Sequence, residues 1–211
     1  MHASSEADDE RQSSPIVSLR PSGAGRAVVR PIVPNDAEEL QAYVRGLSRE
    51  TRRNRFLGAL AELASAQLER MSRMSGPSEL MLLAFADADG ERRVVAEAAL
   101  VIAADSRRSE IALSVADAWQ GQGLGMLLLR HLECHARAHG ARYLFGDVLR
   151  TNTAMKCLAR KAGFSIRSPF TDARLVEVVK DLSVPQVRLP CPDVYAGVRN
   201  TTATGVMDRM I

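Results

Sequence analysis

The segment Gln120-Gly121-Gln122-Gly123-Leu124-Gly125 has the residue types and spacing to hold an anion. Its three alternating glycines follow an expected strand and open an expected helix. A helix start leaves backbone N–H groups without acceptors and carries partial positive charge. Glycine lets an anion approach that backbone without meeting a Cβ. A phosphate or pyrophosphate is the natural guest. Two familiar nucleotide motifs do not fit. The P-loop needs a Gly-Lys pair, which is absent, and the dinucleotide fingerprint needs glycine where Met126 stands. Taken alone, the loop is equally compatible with a plain turn between a strand and a helix.

Glu110 is the candidate proton acceptor. Side chains alternate along a strand, so Glu110, Ala112 and Ser114 share one face and Ile111, Leu113 and Val115 the other, which reads as core. A carboxylate beside two small residues can face a cleft and serve as a base. By itself the pattern favours a solvated glutamate facing Arg107 or Arg108. The other reactive residues read plainly. His131, His135 and His139 recur four apart, but without the H-E-x-x-H pattern they describe a solvated helix face rather than a metal site. Cys157 reads as a small core residue. Arg49, Arg52, Arg53 and Arg55 read as a basic turn between helices that could also meet an acidic protein or a phosphate.

These residues need elements to position them. Residues 1–25 are polar and acidic and are expected to form a disordered tail. The ordered domain, 26–183, is expected to open with a strand at 26–30 stopped by Pro31. A helix capped by Asn35 or Asp36 follows, with Leu40, Tyr43, Val44 and Leu47 on one face. Ser48 caps a second helix, and a third spans 65–74. Then come strands at 80–85 and 93–103 around an Asp89-Gly90 turn, and one at 109–115. The remainder alternates: helix 123–139 closed by Gly140, strand 143–149, helix 152–162 ended by Gly163, and strands at 164–167 and 175–182. Helices, then an antiparallel meander, then alternating strands and helices define an α/β (α+β) domain with a mixed sheet. Residues 184–211 form a C-terminal extension without periodicity.

Composition narrows the function classes. Of 211 residues, 46% are hydrophobic but only 4% aromatic, so the core must be aliphatic. The net charge of +3 is too small to suggest nucleic acid as a partner. Neither a membrane-spanning run nor a secretory h-region is expected. Three scattered cysteines suggest neither a disulfide framework nor a zinc site and suit a cytoplasmic location.

Several separated motifs share one resemblance. Gln120-x-x-Gly123-x-Gly125 resembles the Q/R-x-x-G-x-G/A signature of the GNAT N-acetyltransferase superfamily. The strand Glu110 to Val115 precedes it at the superfamily's spacing, and Asn152 with Gly163-Phe164 resembles the ending of its next helix. The likeness covers roughly 27–182. Ser109 to Val115 running into Trp119-Gln120-Gly121 is similar to the bacterial protein lysine acetyltransferase branch. So are Arg30-Pro31-Ile32, Asp36, Leu47-Ser48, Glu50-Thr51, Arg55-Phe56 and Met155.

The resemblance implies a mixed, mostly antiparallel central sheet flanked by helices. It implies acetyl-CoA as co-substrate, no metal, and transfer of the acetyl group to a primary amine. A protein lysine is the leading acceptor, and Glu110 the general base. It further implies that the backbone of Gln120, Gly121, Gln122, Gly123, Leu124 and Gly125 holds the pyrophosphate. Leu113, Ser114 and Val115 would bond the pantetheine amides, and Asn152 would touch the coenzyme arm. One departure stands out. Many members protonate the leaving thiolate with a tyrosine four residues before the Gly-Phe pair, and here that residue is Ala159. A small-molecule amine as acceptor, or a non-catalytic acyl-CoA sensor, are the alternatives. Oligomeric state is left open between monomer and homodimer.

Overall fold

The stretch from Val94 to Ile102, apolar but for Glu97, becomes the middle of a sheet covered on both faces, and every residue of it is buried. A strand covered on both sides loses the in–out alternation of a half-exposed one. The computed structural model describes residues 17–19, 27–88, 90–104, 108–168 and 172–184. Among them lie eight strands: β1 (Val17–Leu19), β2 (Ala27–Pro31), β3 (Glu79–Ala88), β4 (Glu91–Ile102), β5 (Arg108–Val115), β6 (Tyr143–Leu149), β7 (Ser165–Arg167) and β8 (Leu175–Asp181). The helices are α1 (Ala37–Gly46), α2 (Arg49–Phe56), α3 (Ser65–Ser72), α4 (Leu124–Ala138) and α5 (Thr153–Lys161).

The strand order is β1-β2-β3-β4-β5-β6-β8-β7, and every pairing is antiparallel except β5 with β6. This is the mixed, mostly antiparallel sheet flanked by helices that the motifs implied. Its two faces have separate cores. Leu82, Leu100, Ile111, Leu124, Leu128 and Leu132 belong to one, and α4 covers it. Leu40, Val44, Leu47, Phe56, Met81, Leu83 and Val101 belong to the other, beneath α1 and α2. Pro31 ends β2, and the Arg30 guanidinium grips the Asp36 carboxylate at 2.5 and 2.6 Å, tying that strand to the start of α1. Asp36 accepts the Val33 N–H as well, so it fastens the entry to the helix rather than capping its first turn. Ser48 does cap α2, accepting the Thr51 N–H.

Four expectations are corrected. The tail expected to be disordered to residue 25 contains β1, whose three residues pair with Val29, Val28 and Ala27. The open edge of β2 offers unpaired backbone groups, and a short segment is enough to fill them. The rest of that tail, and nearly all of 184–211, lie outside the described residues. Cys157 is exposed, not core. Cys134 is disulfide-bonded, because spacing along a chain does not report distance in the fold.

The histidines are the fourth. His131 and His135 are 2% and 4% exposed, on the face of α4 that meets the sheet. The His135 ring meets the Pro77 carbonyl through Nε2 at 3.0 Å and stacks against His139 with centroids 4.1 Å apart. Burial, reinforced by Arg130 beside His131 and by His139 beside His135, lowers both pKa values to about 4. An unfolded chain takes up these protons near 6.5, and the folded one only near 4. Their contribution is therefore complete above about pH 6.5 and lost as pH falls toward 4, up to about 3 kcal/mol for each. Urea midpoints should drop steeply between pH 7 and 4.5, and less so for His135→Gln. An equal drop in the variant would place the acid sensitivity elsewhere.

Candidate active site

The parallel ladder between β5 and β6 is short. Arg108, Ser109 and Glu110 pair with Tyr143, Leu144 and Phe145, and the strands then separate. β5 stays bound to β4 as far as Val115, while β6 stays bound to β8 as far as Leu149. The result is a split in the sheet whose vertex is at Glu110.

Backbone directions follow from the antiparallel pattern. Ala116 donates its N–H to Val95, and Ala103 donates to Arg108. Hydrogen-bonded pairs alternate with non-bonded ones. The register therefore turns the backbone groups of Glu110, Ala112 and Ser114 toward β4, and those of Ile111, Leu113 and Val115 into the split. Leu113 and Val115 thus present N–H groups to anything lying there. Ser114 does not, contrary to the expectation from the motif. Its backbone faces β4, and its side chain is committed elsewhere.

Gly146 stands across the vertex. A Cβ built there would lie 2.7 Å from the Ile111 carbonyl oxygen, so only glycine allows this approach. The sequence carried a signal for it, since a lone glycine inside a strand often marks close backbone contact.

Side chains divide as expected from alternation. Ile111 joins the core under α4, with Leu113 and Val115 packed against it. Glu110 is opposite Val101, whose side chain belongs to the core beneath α1 and α2, so Glu110 faces that layer. It is partly buried. Arg108 is ion-paired with Glu177 and lies over the Phe145 ring; Arg107 lies outside the described residues.

The glycine loop opens α4 without any side-chain cap. Gly121 and Gly123 have φ of +74° and +92°, left-handed values that favour glycine. The first helical bond runs from Leu127 to Gly123, so the N–H groups of Leu124, Gly125 and Met126 have no acceptor within the helix. An anion such as a pyrophosphate fits this N-terminus. Gly125 serves packing too: a Cβ there would meet a Leu158 methyl at 3.0 Å. Gln120 acts differently from the loop glycines. Its N–H already donates to Asp117, and its side chain donates to Val115 O and Thr51 Oγ1. Gln122 bonds the Ala118 carbonyl. Asn152 caps α5 by accepting the Met155 N–H at 3.0 Å. Ala159 is fully buried, where the motif often has tyrosine.

Beneath β5 lies a polar network that sequence reasoning missed. Arg55 and Glu97 form an ion pair, each side chain 2% exposed, with Nε to Oε1 at 2.7 Å. Ser114 Oγ donates to Glu97 at 2.7 Å and lies 2.9 Å from the Tyr43 hydroxyl. With its proton committed to Glu97, Ser114 accepts from Tyr43. Burial, then the Glu97 charge, raises the Tyr43 pKa and keeps this hydroxyl protonated. Arg55 is thus a buried structural cation rather than part of a solvated basic turn. The available signal was Glu97 itself, a lone charge inside an apolar strand. Asp117 adds a second anchor, accepting from Ser48 Oγ, Thr51 Oγ1 and the Ser48 N–H. Burial pushes its pKa up, but those hydrogen bonds outweigh it and lower the value. Nothing in the local sequence marked Asp117.

Along α2 runs a groove of about 760 Å³, lined by residues of that helix, by residues 58–61 and by Thr151. Arg49, Arg53, Ala59, Ala61 and Thr151 are exposed, so it is open to solvent. Among the described residues no cluster of metal-ligating side chains occurs, and no helix is long and apolar enough to cross a membrane.

The likenesses to known proteins agree with this geometry. The model of the acetyltransferase (GNAT) family matches residues 42–164. An acetyltransferase of Pseudomonas aeruginosa is 33% identical over 141 residues, 66% of this chain and 76% of that protein. The crystal structure of the GNAT domain of S. lividans PAT superposes with a TM-score of 0.70 at 26% identity, covering 78% of this chain and 96% of that one. A Salmonella typhimurium structure solved with its cofactor acetyl-CoA shares the fold. Its TM-score is 0.58 at 17% identity, and the match covers 78% of this chain and 99% of that one. With a split sheet, an uncapped glycine-rich helix start and a matching family model over more than half its length, the chain belongs to the GNAT family of acetyltransferases and is an acyltransferase.

Proposed function

We propose that this enzyme moves the acetyl group of acetyl-CoA to a lysine side chain of a protein, with Glu110 as general base. The observation that carries the lysine reading is the groove along α2. It is open and solvent-lined, as a protein segment requires, whereas a small amine is better held in a closed pocket. Acetyl-CoA supplies the activated thioester. The N–H groups of Gly121 to Met126 hold its pyrophosphate, and that of Val115 bonds its arm along the split. Gln120 braces the loop through Val115 and Thr51. Ser114 braces the strand from below, and Asn152 holds the far wall through its cap.

Glu110 takes a proton from the lysine ammonium. The freed amine attacks the thioester carbon, a C–N bond forms, and the Leu113 N–H steadies the oxyanion. The C–S bond then breaks, coenzyme A leaves as a thiolate, and the attacking nitrogen gives up its second proton to water as the amide forms. With alanine at 159, water protonates that thiolate, which is a tolerable leaving group near neutral pH.

The test is an assay of thiol release from acetyl-CoA with lysine peptides, intact proteins and small amines, and mass spectrometry of the products. Nε-acetyl-lysine on peptides supports the reading. Turnover restricted to small amines selects the metabolite alternative, and tight acetyl-CoA binding without turnover selects the sensor.

Gly146→Ala probes the split directly. The added Cβ must displace backbone, so we expect a stability loss of about 1–3 kcal/mol. Acetyl-CoA affinity by calorimetry should fall about tenfold, because a shift of about 1.4 kcal/mol in binding is tenfold. Unchanged affinity in a stable variant would dissociate the vertex from coenzyme binding.

A further inference from the structure

The groove along α2 carries charge that acetyl transfer does not itself require. Its lining includes Arg49, Glu50, Arg52 and Arg53 from the helix, Leu60 beyond it and Thr151 across from it. Arginines outnumber the one lining acid three to one. Arg52 is partly committed, its Nη1 donating to the carbonyls of Val44, Arg45 and Leu47 at the end of α1. Arg49 and Arg53 are exposed, and neither forms an ion pair among the described residues.

The opposite face of α2 is immobilised. Ser48 and Thr51 hold Asp117 just before the glycine loop, and Arg55 is buried against Glu97. Leu57, at φ +56°, ends the helix and turns the chain into the loop that walls the groove. Guanidinium groups on a helix fixed this way lose less freedom on binding than they would on a mobile loop. Thr151 immediately precedes Asn152, where β6 gives way to α5, so the groove opens beside the split.

We infer that this groove recognises carboxylates flanking the acceptor lysine, so that the substrate is an acidic segment of protein. The inference rests on the lysine reading above. Guanidinium and carboxylate pair through two parallel hydrogen bonds. Complementary charge would speed encounter and orient the lysine toward Glu110.

Three peptides test it, each with one lysine, flanked by Asp and Glu, by Asn and Gln, or by Arg alone. With saturating acetyl-CoA at low salt, kcat/KM for the acidic peptide should exceed the neutral one by about tenfold, shrinking as salt rises. In Arg49→Gln/Arg53→Gln that ratio should collapse toward one, with the acetyl-CoA Kd unchanged by calorimetry. Equal kcat/KM for acidic and neutral peptides in the wild type overturns the inference and leaves the lysine reading standing. A weakened acetyl-CoA Kd in the variant overturns it by assigning the arginines to the coenzyme. Turnover of small amines with no peptide acetylated overturns both.

Discussion

A Glu110→Gln enzyme is expected to lose about 10²–10⁴ in kcat/KM near neutral pH, the usual contribution of a positioned general base. The shape of the pH profile is the sharper readout. With glutamate in place, the rate should rise as the carboxylate ionises and then level off. With glutamine, only amine that is already neutral can attack. The rate should then climb about tenfold per pH unit toward the lysine pKa near 10. Acetyl-CoA affinity should stay within about twofold, because Glu110 points to the α1–α2 layer, away from the loop and the split that we propose for the coenzyme. A variant with wild-type rate and profile would remove Glu110 from the mechanism. A large loss of coenzyme affinity with intact kcat would recast it as a binding group.

Glu97→Ala is expected to destabilise the fold by about 3–5 kcal/mol, the cost of leaving a buried charge without its partner. The Arg55 side chain is 2% exposed and has no route to water. Ser114 would also lose its acceptor, and with it the register of Tyr43 over β5. The double variant Arg55→Leu/Glu97→Leu should recover a substantial part of this loss, since removing both charges leaves neither exposed to a low-dielectric interior. Urea unfolding of the wild type, Arg55→Leu, Glu97→Leu and the double variant gives the coupling directly. A cost below about 1 kcal/mol for Glu97→Ala would mean the pair is hydrated in solution. This network lies one strand from the split proposed for the coenzyme, so a folded variant should also show weaker acetyl-CoA binding.

These two carboxylates show what a sequence can and cannot reveal. Glu110 was legible because strand alternation is local. Three consecutive alternations placed it with Ala112 and Ser114, and the fold kept that face. The glycine loop was legible for the same reason, since its conformation and helix start depend on neighbouring residues only. Most helices and strands appeared within a few residues of their expected bounds, because periodicity and capping are also local. Glu97 was not legible. Its partners Arg55 and Ser114 are 42 and 17 residues away, and Tyr43 is 71 from Ser114. No short-range pattern encodes such distances.

The histidines make the same point from the opposite side. Spacing put His131, His135 and His139 along one side of α4, correctly, but could not say how wide the buried stripe would be. That width was decided by the sheet beneath, which covers two of them and drives their pKa values down.

The sequence by itself determined the glycine-rich helix start, the face on which Glu110 stands, and the family. Each of these depends on contiguous residues or on motifs in fixed order. The tertiary structure alone decided that Gly146 lets β5 and β6 meet and then part, and that Ser114 turns inward while Leu113 and Val115 face the split. It alone decided that Arg55 is buried while Arg49 and Arg53 are not. The physical reason is that burial and pairing belong to elements brought together across the chain, and the side chains of α2 have no inside or outside until β4 and β5 pass beneath them.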